Sequence, residues 1–113
     1  MIRNVTRKKI LAEQNAIMDS YLQKNIGLMF QSKVEKGLIF PFKKPRRMGI
    51  HMMFVFTPID ILFLDDREKI VEMMEKLQPF GFYLSKNKAK TFIELAPNTI
   101  KKTGTKIGDK IKF

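Results

Sequence analysis

Asp60 is the residue of this sequence whose position most invites chemistry, because it interrupts an apolar segment. It lies within Pro58-Ile59-Asp60-Ile61-Leu62-Phe63-Leu64, where both faces of a strand would otherwise be apolar. Burying a carboxylate is costly unless its oxygens are paired or hydrogen-bonded. In a pocket it could act as an acid, a base or an acceptor that orients a ligand. It could equally accept backbone N–H groups and hold a crossing loop, and the sequence leaves both roles open.

His51 and Met52 are the candidate companions of Asp60 in a small-molecule pocket. The segment His51-Met52-Met53 also combines an imidazole with thioethers, which are ligands for Cu(I). In a strand, however, His51 and Met53 point to one side and Met52 to the other, so these ligands do not converge. We therefore predict neither a metal site nor a cofactor.

A second candidate site is basic, and it suggests a polyanion as partner. We predict an exposed loop with four cations within five residues, which could bind the phosphates of a nucleic acid or the acidic surface of a protein. A solvated loop without a partner is an equal alternative. The cations are Lys43, Lys44, Arg46 and Arg47, with Pro45 between them.

Lysines recur later, beside aromatic residues. Phe80-Gly81-Phe82-Tyr83 is followed by Lys86, Lys88 and Lys90. Aromatic side chains next to cations are typical of surfaces that bind single-stranded nucleic acid. The same aromatic residues could instead belong to the core.

The overall composition agrees with a basic surface. The chain has 113 residues and a net charge of +11, with +8 in residues 1–51, −3 in residues 52–77 and +6 in residues 78–113. Such a charge attracts nucleic acids and other polyanions. Adaptation to heat, or lysines that protect strand edges, would also explain it.

The sequence offers little material for enzymes. It contains no cysteine and one histidine, so thiol nucleophiles, disulfides and thiolate metal sites are excluded and a nucleophilic triad is disfavoured. A small acid–base enzyme that uses Asp60, or Glu94 with a lysine, stays as an alternative to a binding module. We expect no membrane span and no signal peptide, and hence a cytoplasmic protein.

Short apolar segments between turns predict the elements that position these residues. We expect a single domain over residues 1–113 of the α+β class, mainly β, with a barrel-like antiparallel or mixed sheet and one short amphipathic helix. The apolar spacing places that helix at residues 15–24. The predicted strands include residues 38–42, 48–56 and 59–64, with a hairpin that returns through residues 69–73.

Several blocks, in order, resemble the signature of uncharacterised protein family 0127, also called domain of unknown function 192. The resemblance extends over nearly the whole chain, is closest to the archaeal members without a signal peptide, and implies a small β-barrel-like domain. It implies no established cofactor, substrate or catalytic residue. The blocks are Gly27-Leu28-Met29, Gly37-Leu38-Ile39-Phe40, Pro58 to Asp65, Glu94-Leu95-Ala96-Pro97 and Gly108-Asp109.

Two positions depart from the family pattern. Of a Trp-Met-Lys-Asn-Thr block, only the methionine is kept, as Met52, so a site built on that asparagine is not expected here. Asn98 replaces the glycine that follows the Leu-Pro-Ala block. Because asparagine tolerates left-handed backbone better than most residues, we predict that the turn is retained.

Overall fold

Strands are the main regular elements of the computed structural model, which describes residues 1–19 and 31–113. One helix, α1 (Thr99–Thr103), lies within these residues. The strands are β1 (Ile2–Asn4), β2 (Lys9–Ala12), β3 (Asn15–Ile17), β4 (Gly37–Arg46), β5 (Gly49–His51), β6 (Ile59–Leu64), β7 (Ile70–Leu77), β8 (Phe82–Leu84), β9 (Ala89–Leu95) and β10 (Ile111–Lys112).

A five-stranded mixed sheet with the order β3-β4-β9-β6-β7 forms the centre of the molecule. Strand β3 runs parallel to β4, and the other neighbours are antiparallel. Every residue of β6 is buried, so both faces of the sheet are covered at that strand. Since side chains alternate along a strand, Ile59, Ile61 and Phe63 join one core cluster, while Leu62 and Leu64 join the other.

Smaller sheets cover the two faces. The sheet β10-β1-β2 contributes Ile2, Leu11 and Ile111 to the cluster that also contains Ile100 of α1. The two-stranded ribbon β5-β8 contributes Ile50 to the other cluster. We call these the α1-side cluster and the ribbon-side cluster.

The predicted fold class is confirmed, but the sheet is not closed. Within the described residues, β3 and β7 are the edges of an open five-stranded sheet. The barrel-like sheet expected from the sequence is therefore an open one, and flanking sheets and α1 cover its faces. No helix of the described ranges is long and apolar enough to cross a membrane.

Local sequence patterns misplaced three elements. The predicted helix at residues 15–24 begins with strand β3, because Asn15 and Ile17 pair with Gly37 and Ile39; residues 20–24 lie outside the described ranges. The basic loop is instead the end of β4, where Arg46 pairs with Ala89. Of the strand predicted at residues 48–56, only residues 49–51 are extended.

Candidate functional site

Asp60 is fully buried, and both of its carboxylate oxygens accept backbone hydrogen bonds. The N–H of Lys76 donates to Oδ1 at 3.0 Å, and the N–H of Ile100 donates to Oδ2 at 2.9 Å. One residue of β6 therefore fixes both β7 and the first turn of α1. These two hydrogen bonds offset the free-energy cost of burying the carboxylate of Asp60.

Each donor to Asp60 lies at an irregular backbone position. Lys76 has a φ of 51° at a bulge of β7, where its N–H is directed toward Asp60 rather than a neighbouring carbonyl. Ile100 belongs to the first turn of α1. Asn98 precedes this helix, and its side chain makes no capping hydrogen bond to the first turn. Asp60 therefore supplies the cap from another strand. The φ of Asn98 is 72°, which confirms the predicted left-handed turn.

The structure does not bring Asp60, His51 and Met52 to one site. By the alternation of β6, Asp60 lies on the α1 side of the sheet, where it reaches Ile100. Met52 is buried in the ribbon-side cluster, and His51 is exposed at the end of β5. The sheet thus separates the carboxylate from the thioether.

The basic residues, in contrast, come together although they belong to two distant segments. The pairing of β4 with β9 places Arg46 opposite Ala89, whose neighbours are Lys88 and Lys90. The two segments together carry seven cations, of which six are exposed and one, Lys90, is half-buried. We call this group the basic ridge: Lys43, Lys44, Arg46, Arg47, Lys86, Lys88 and Lys90.

Contacts hold the two arginines of the basic ridge in place. Arg47 Nε donates to the carbonyl oxygen of Ser85 at 2.9 Å. The guanidinium carbon of Arg46 lies 5.1 Å from the centre of the Phe42 ring, within cation–π range. These contacts engage Nε of Arg47 and the guanidinium of Arg46 over the Phe42 ring, and a phosphate ligand would use the other N–H groups of the two arginines.

Glu72 of β7 fixes the turn that carries Lys86. Its carboxylate accepts the backbone N–H groups of Lys86 and Asn87 at 2.8–3.1 Å, the Asn87 side-chain amide at 3.1 Å, and the hydroxyl of Tyr83. Burial alone would raise the pKa of Glu72, but these hydrogen bonds from Tyr83, Asn87 and Lys86 lower it overall. The same contact raises the pKa of Tyr83 to about 12. Glu72 is therefore ionised, but its charge is held beneath the turn.

Ser85 joins this turn to the start of β5. Its hydroxyl accepts the N–H of Met48 at 2.7 Å and donates to the carbonyl of Asn87 at 3.0 Å. The Ser85 N–H also donates to the carbonyl of Met48. Buried Ser85 and Glu72 thus give the basic ridge a rigid base.

Sequence reasoning missed these supporting residues. Glu72 left no signal in the strand pattern, because a register shift in β7 places it opposite Phe63 on the ribbon side, whereas Ile70 lies opposite Leu64 on the α1 side. Its donors, 14 and 15 residues away, leave no local pattern. Glu94, predicted from the sequence as an alternative acid–base residue, lies on the ribbon side of β9, and burial raises its pKa to about 8.

Three ion pairs join described residues, and none of them uses a cation of the basic ridge; they are Arg7–Asp109, Lys33–Glu35 and Lys112–Glu68. It also contains no group of three or more metal-binding side chains. The arrangement can therefore bind several anionic groups at once, through charge and oriented N–H donors.

Comparisons with known proteins bear on the family and the fold. The family model DUF192, described as uncharacterized ACR, matches residues 3–113. A UPF0127 protein of Thermococcus sibiricus is 32% identical over 115 residues, covering 100% of this chain and 74% of the relative. One of Pyrococcus horikoshii is 32% identical over 116 residues, covering 100% and 98%.

Two solved structures share the fold. A candidate transcription regulator of Sinorhizobium meliloti has a TM-score of 0.81 at 24% identity, over 87% of this chain and 79% of that one. A protein of unknown function from Novosphingobium aromaticivorans has a TM-score of 0.81 at 20% identity, over 88% and 74%.

Proposed function

The chain belongs to the DUF192 family of uncharacterized proteins, and on that premise we propose that it is a binding module for polyanions. The basic ridge is the binding surface. Its lysines and arginines contact anionic groups along an extended ligand, and the release of counterions supplies much of the affinity.

The observation that carries this proposal is the pairing of Arg46 with Ala89. It places two basic segments, one near residue 45 and one near residue 88, side by side in the sheet. Lysines that serve only to keep a surface solvated would not need a turn held by buried hydrogen bonds beneath them. Here buried Glu72 and Ser85 hold the turn, and Arg47 is fixed to it by a hydrogen bond.

The geometry gives less support to a small-molecule pocket or an acid–base enzyme at Asp60. Both oxygens of that carboxylate accept backbone N–H groups, and neither His51 nor Met52 lies on its side of the sheet. A ligand at Asp60 would have to break the contacts that hold α1 and β7.

Neutralising four cations of the basic ridge tests the proposal. We expect the variant Lys43→Gln, Lys44→Gln, Arg46→Gln, Arg47→Gln to bind a labelled single-stranded oligonucleotide or heparin roughly a hundredfold more weakly at about 100 mM salt, because three or four anionic contacts are lost. Fluorescence anisotropy, repeated from about 50 to 200 mM salt, should also give a shallower salt dependence.

The matched control neutralises four exposed lysines away from the ridge: Lys8, Lys9, Lys101 and Lys102. Both variants carry the same net charge, so their comparison separates a localised site from overall attraction. Equal losses in the two variants, or no binding by the unmodified protein at low salt, would contradict the proposal.

A further inference from the structure

The ribbon β5-β8 has an apolar outer face that the polyanion proposal does not use. Side chains alternate across it, so Ile50 and Tyr83 pack on the ribbon-side cluster. Phe82 points outward with 65% of its surface exposed, and Leu84 is 46% exposed. Large exposed apolar groups gathered on one face indicate an interaction surface.

The ring of Phe82 has a defined position on that face. A Cβ atom built on Gly49 would lie 3.4 Å from Phe82 Cζ, so the ring extends across the facing strand at Gly49. Gly49 is paired with Leu84, and His51 with Phe82. The ring of Phe82 is thus accessible to a partner, and it lies against the facing strand at Gly49.

Phe80 lies two residues before the start of β8 and is a second exposed aromatic residue. Its ring is 60% exposed and makes edge contacts with the rings of Phe54 and Phe56, at centroid distances of 6.1 and 5.8 Å. The N–H of Phe80 donates to the carbonyl of Met52 at 2.8 Å. These contacts fix Phe80 at the edge of the molecule. We call Phe80 and Phe82 the aromatic pair.

The ribbon that carries Phe82 is continuous with the basic ridge. Strand β5 begins two residues after Arg47, and β8 ends one residue before Ser85, to which Arg47 is bonded. At about 3.3 Å per residue, the ribbon spans roughly 13 Å from Arg47 to His51. One extended ligand can therefore contact the cations and the exposed rings together.

We propose that this ligand is a single-stranded nucleic acid, whose bases stack on Phe82 and Phe80 while its phosphates contact the basic ridge. The inference rests on the proposed polyanion function and names its ligand class. Stacking requires bases that are accessible on their faces, which a single strand offers and a duplex does not. The combination of cations and flat exposed rings therefore selects the single strand.

The experiment compares three labelled probes of equal length, about 12 nucleotides, by fluorescence anisotropy: oligo-dT, the same backbone without bases, and a duplex. We expect oligo-dT to bind most tightly. Phe82→Ala should weaken oligo-dT binding roughly tenfold, in the range typical of a lost stacking contact, and leave the base-free strand unaffected.

A matched control, Ile107→Ala, removes an apolar side chain that is 64% exposed but lies away from the ribbon. It should bind all three probes like the unmodified protein. Because Phe82 is exposed, its replacement should not prevent folding, and far-UV circular dichroism checks this.

The outcomes separate the two proposals. Equal binding of oligo-dT and the base-free strand, or tighter binding of the duplex, would overturn stacking and leave the polyanion function intact. No binding of any probe at about 50 mM salt would reject both. If Phe82→Ala instead abolishes self-association in sedimentation experiments and leaves oligo-dT binding unchanged, the outer face binds a second copy and the inference is wrong.

Discussion

At the residue scale, the contacts of the carboxylate oxygens decide the roles of Asp60, Glu72 and Glu94, three of the four buried acidic residues of the described ranges. Asp60 and Glu72 accept backbone N–H groups, whereas Glu94 lies between Leu38 and Ile61 in an apolar part of the sheet. Hydrogen bonding lowers the pKa of Glu72 overall, and burial raises that of Glu94. The apolar neighbours of Asp60 predicted its burial, but its donors, 16 and 40 residues away, could not be predicted locally.

Asp60→Asn should destabilise the protein without affecting polyanion binding. An amide offers one acceptor oxygen, and its NH₂ group would face an N–H donor, so we expect a loss of about 1–3 kcal/mol in the free energy of unfolding. Urea denaturation measures the loss, and exposed Asp66→Asn is the control. Unchanged stability with loss of ligand binding would instead assign Asp60 to a binding site.

Glu94 predicts a pH dependence of stability. Its pKa is raised from 4.5 to about 8 in the folded protein. Between pH 4.5 and about 8, the carboxyl group of Glu94 is protonated in the folded state and ionised in the unfolded state. Its contribution to the free energy of unfolding is therefore complete below about pH 4.5 and falls as the pH rises to about 8. Each pH unit in that window is worth at most about 1.4 kcal/mol.

Glu94→Gln mimics the protonated form and should abolish this dependence. We expect the variant to gain stability over the unmodified protein as pH is raised from 5 to about 8.5, in chemical denaturation at several pH values. Glu72→Gln is the opposite control: because the pKa of Glu72 is lowered, its stabilisation is present above the unfolded pKa and lost as pH falls. Parallel pH profiles of Glu94→Gln and the unmodified protein would contradict the expectation.

At the scale of elements, the pairing of strands adjacent in sequence was predicted, whereas the pairing of strands distant in sequence was not. The hairpin of β6 and β7 is confirmed, because a short polar turn joins two apolar segments. Asn15–Ile17 is a strand only because β4, some 20 residues later, provides backbone partners. The helical spacing of its apolar residues could not reveal that partner.

Gly37, at the start of β4, permits the closest approach between elements. A Cβ there would lie 2.4 Å from Ile2 Cδ1 and 3.2 Å from Ala12 Cβ. Because Ile2 is fully buried, its side chain has little room to move, so Gly37→Ala should cost about 1–3 kcal/mol of stability.

Gly49→Ala is the matched control for Gly37→Ala. Its nearest atom would be Phe82 Cζ at 3.4 Å, an ordinary contact with an exposed ring, so we expect a change within about 0.5 kcal/mol. Thermal denaturation of the two variants makes the comparison. Equal melting temperatures would show that β1 can shift away from β4.

At the scale of the whole molecule, the net charge of +11 indicated a polyanion partner but not where it binds. The two basic segments are separated by about 40 residues, and sheet order alone makes them neighbours. The rigid base beneath them likewise comes from β7 and β8. Composition thus suggested a class of ligand, whereas the proposed binding surface could be defined only from the topology.

Pairing of β1 with β10 has a consequence for biosynthesis. Residues 3 and 4 pair with residues 112 and 111, and Asn4 donates a hydrogen bond to Asp109 at 2.9 Å. A ribosome makes the first of these residues long before the last, so β1 leaves the exit tunnel without one of its two strand partners. Until residue 112 emerges, that edge of β1 and the apolar side chain of Ile2 lack their native partner and are open to other contacts.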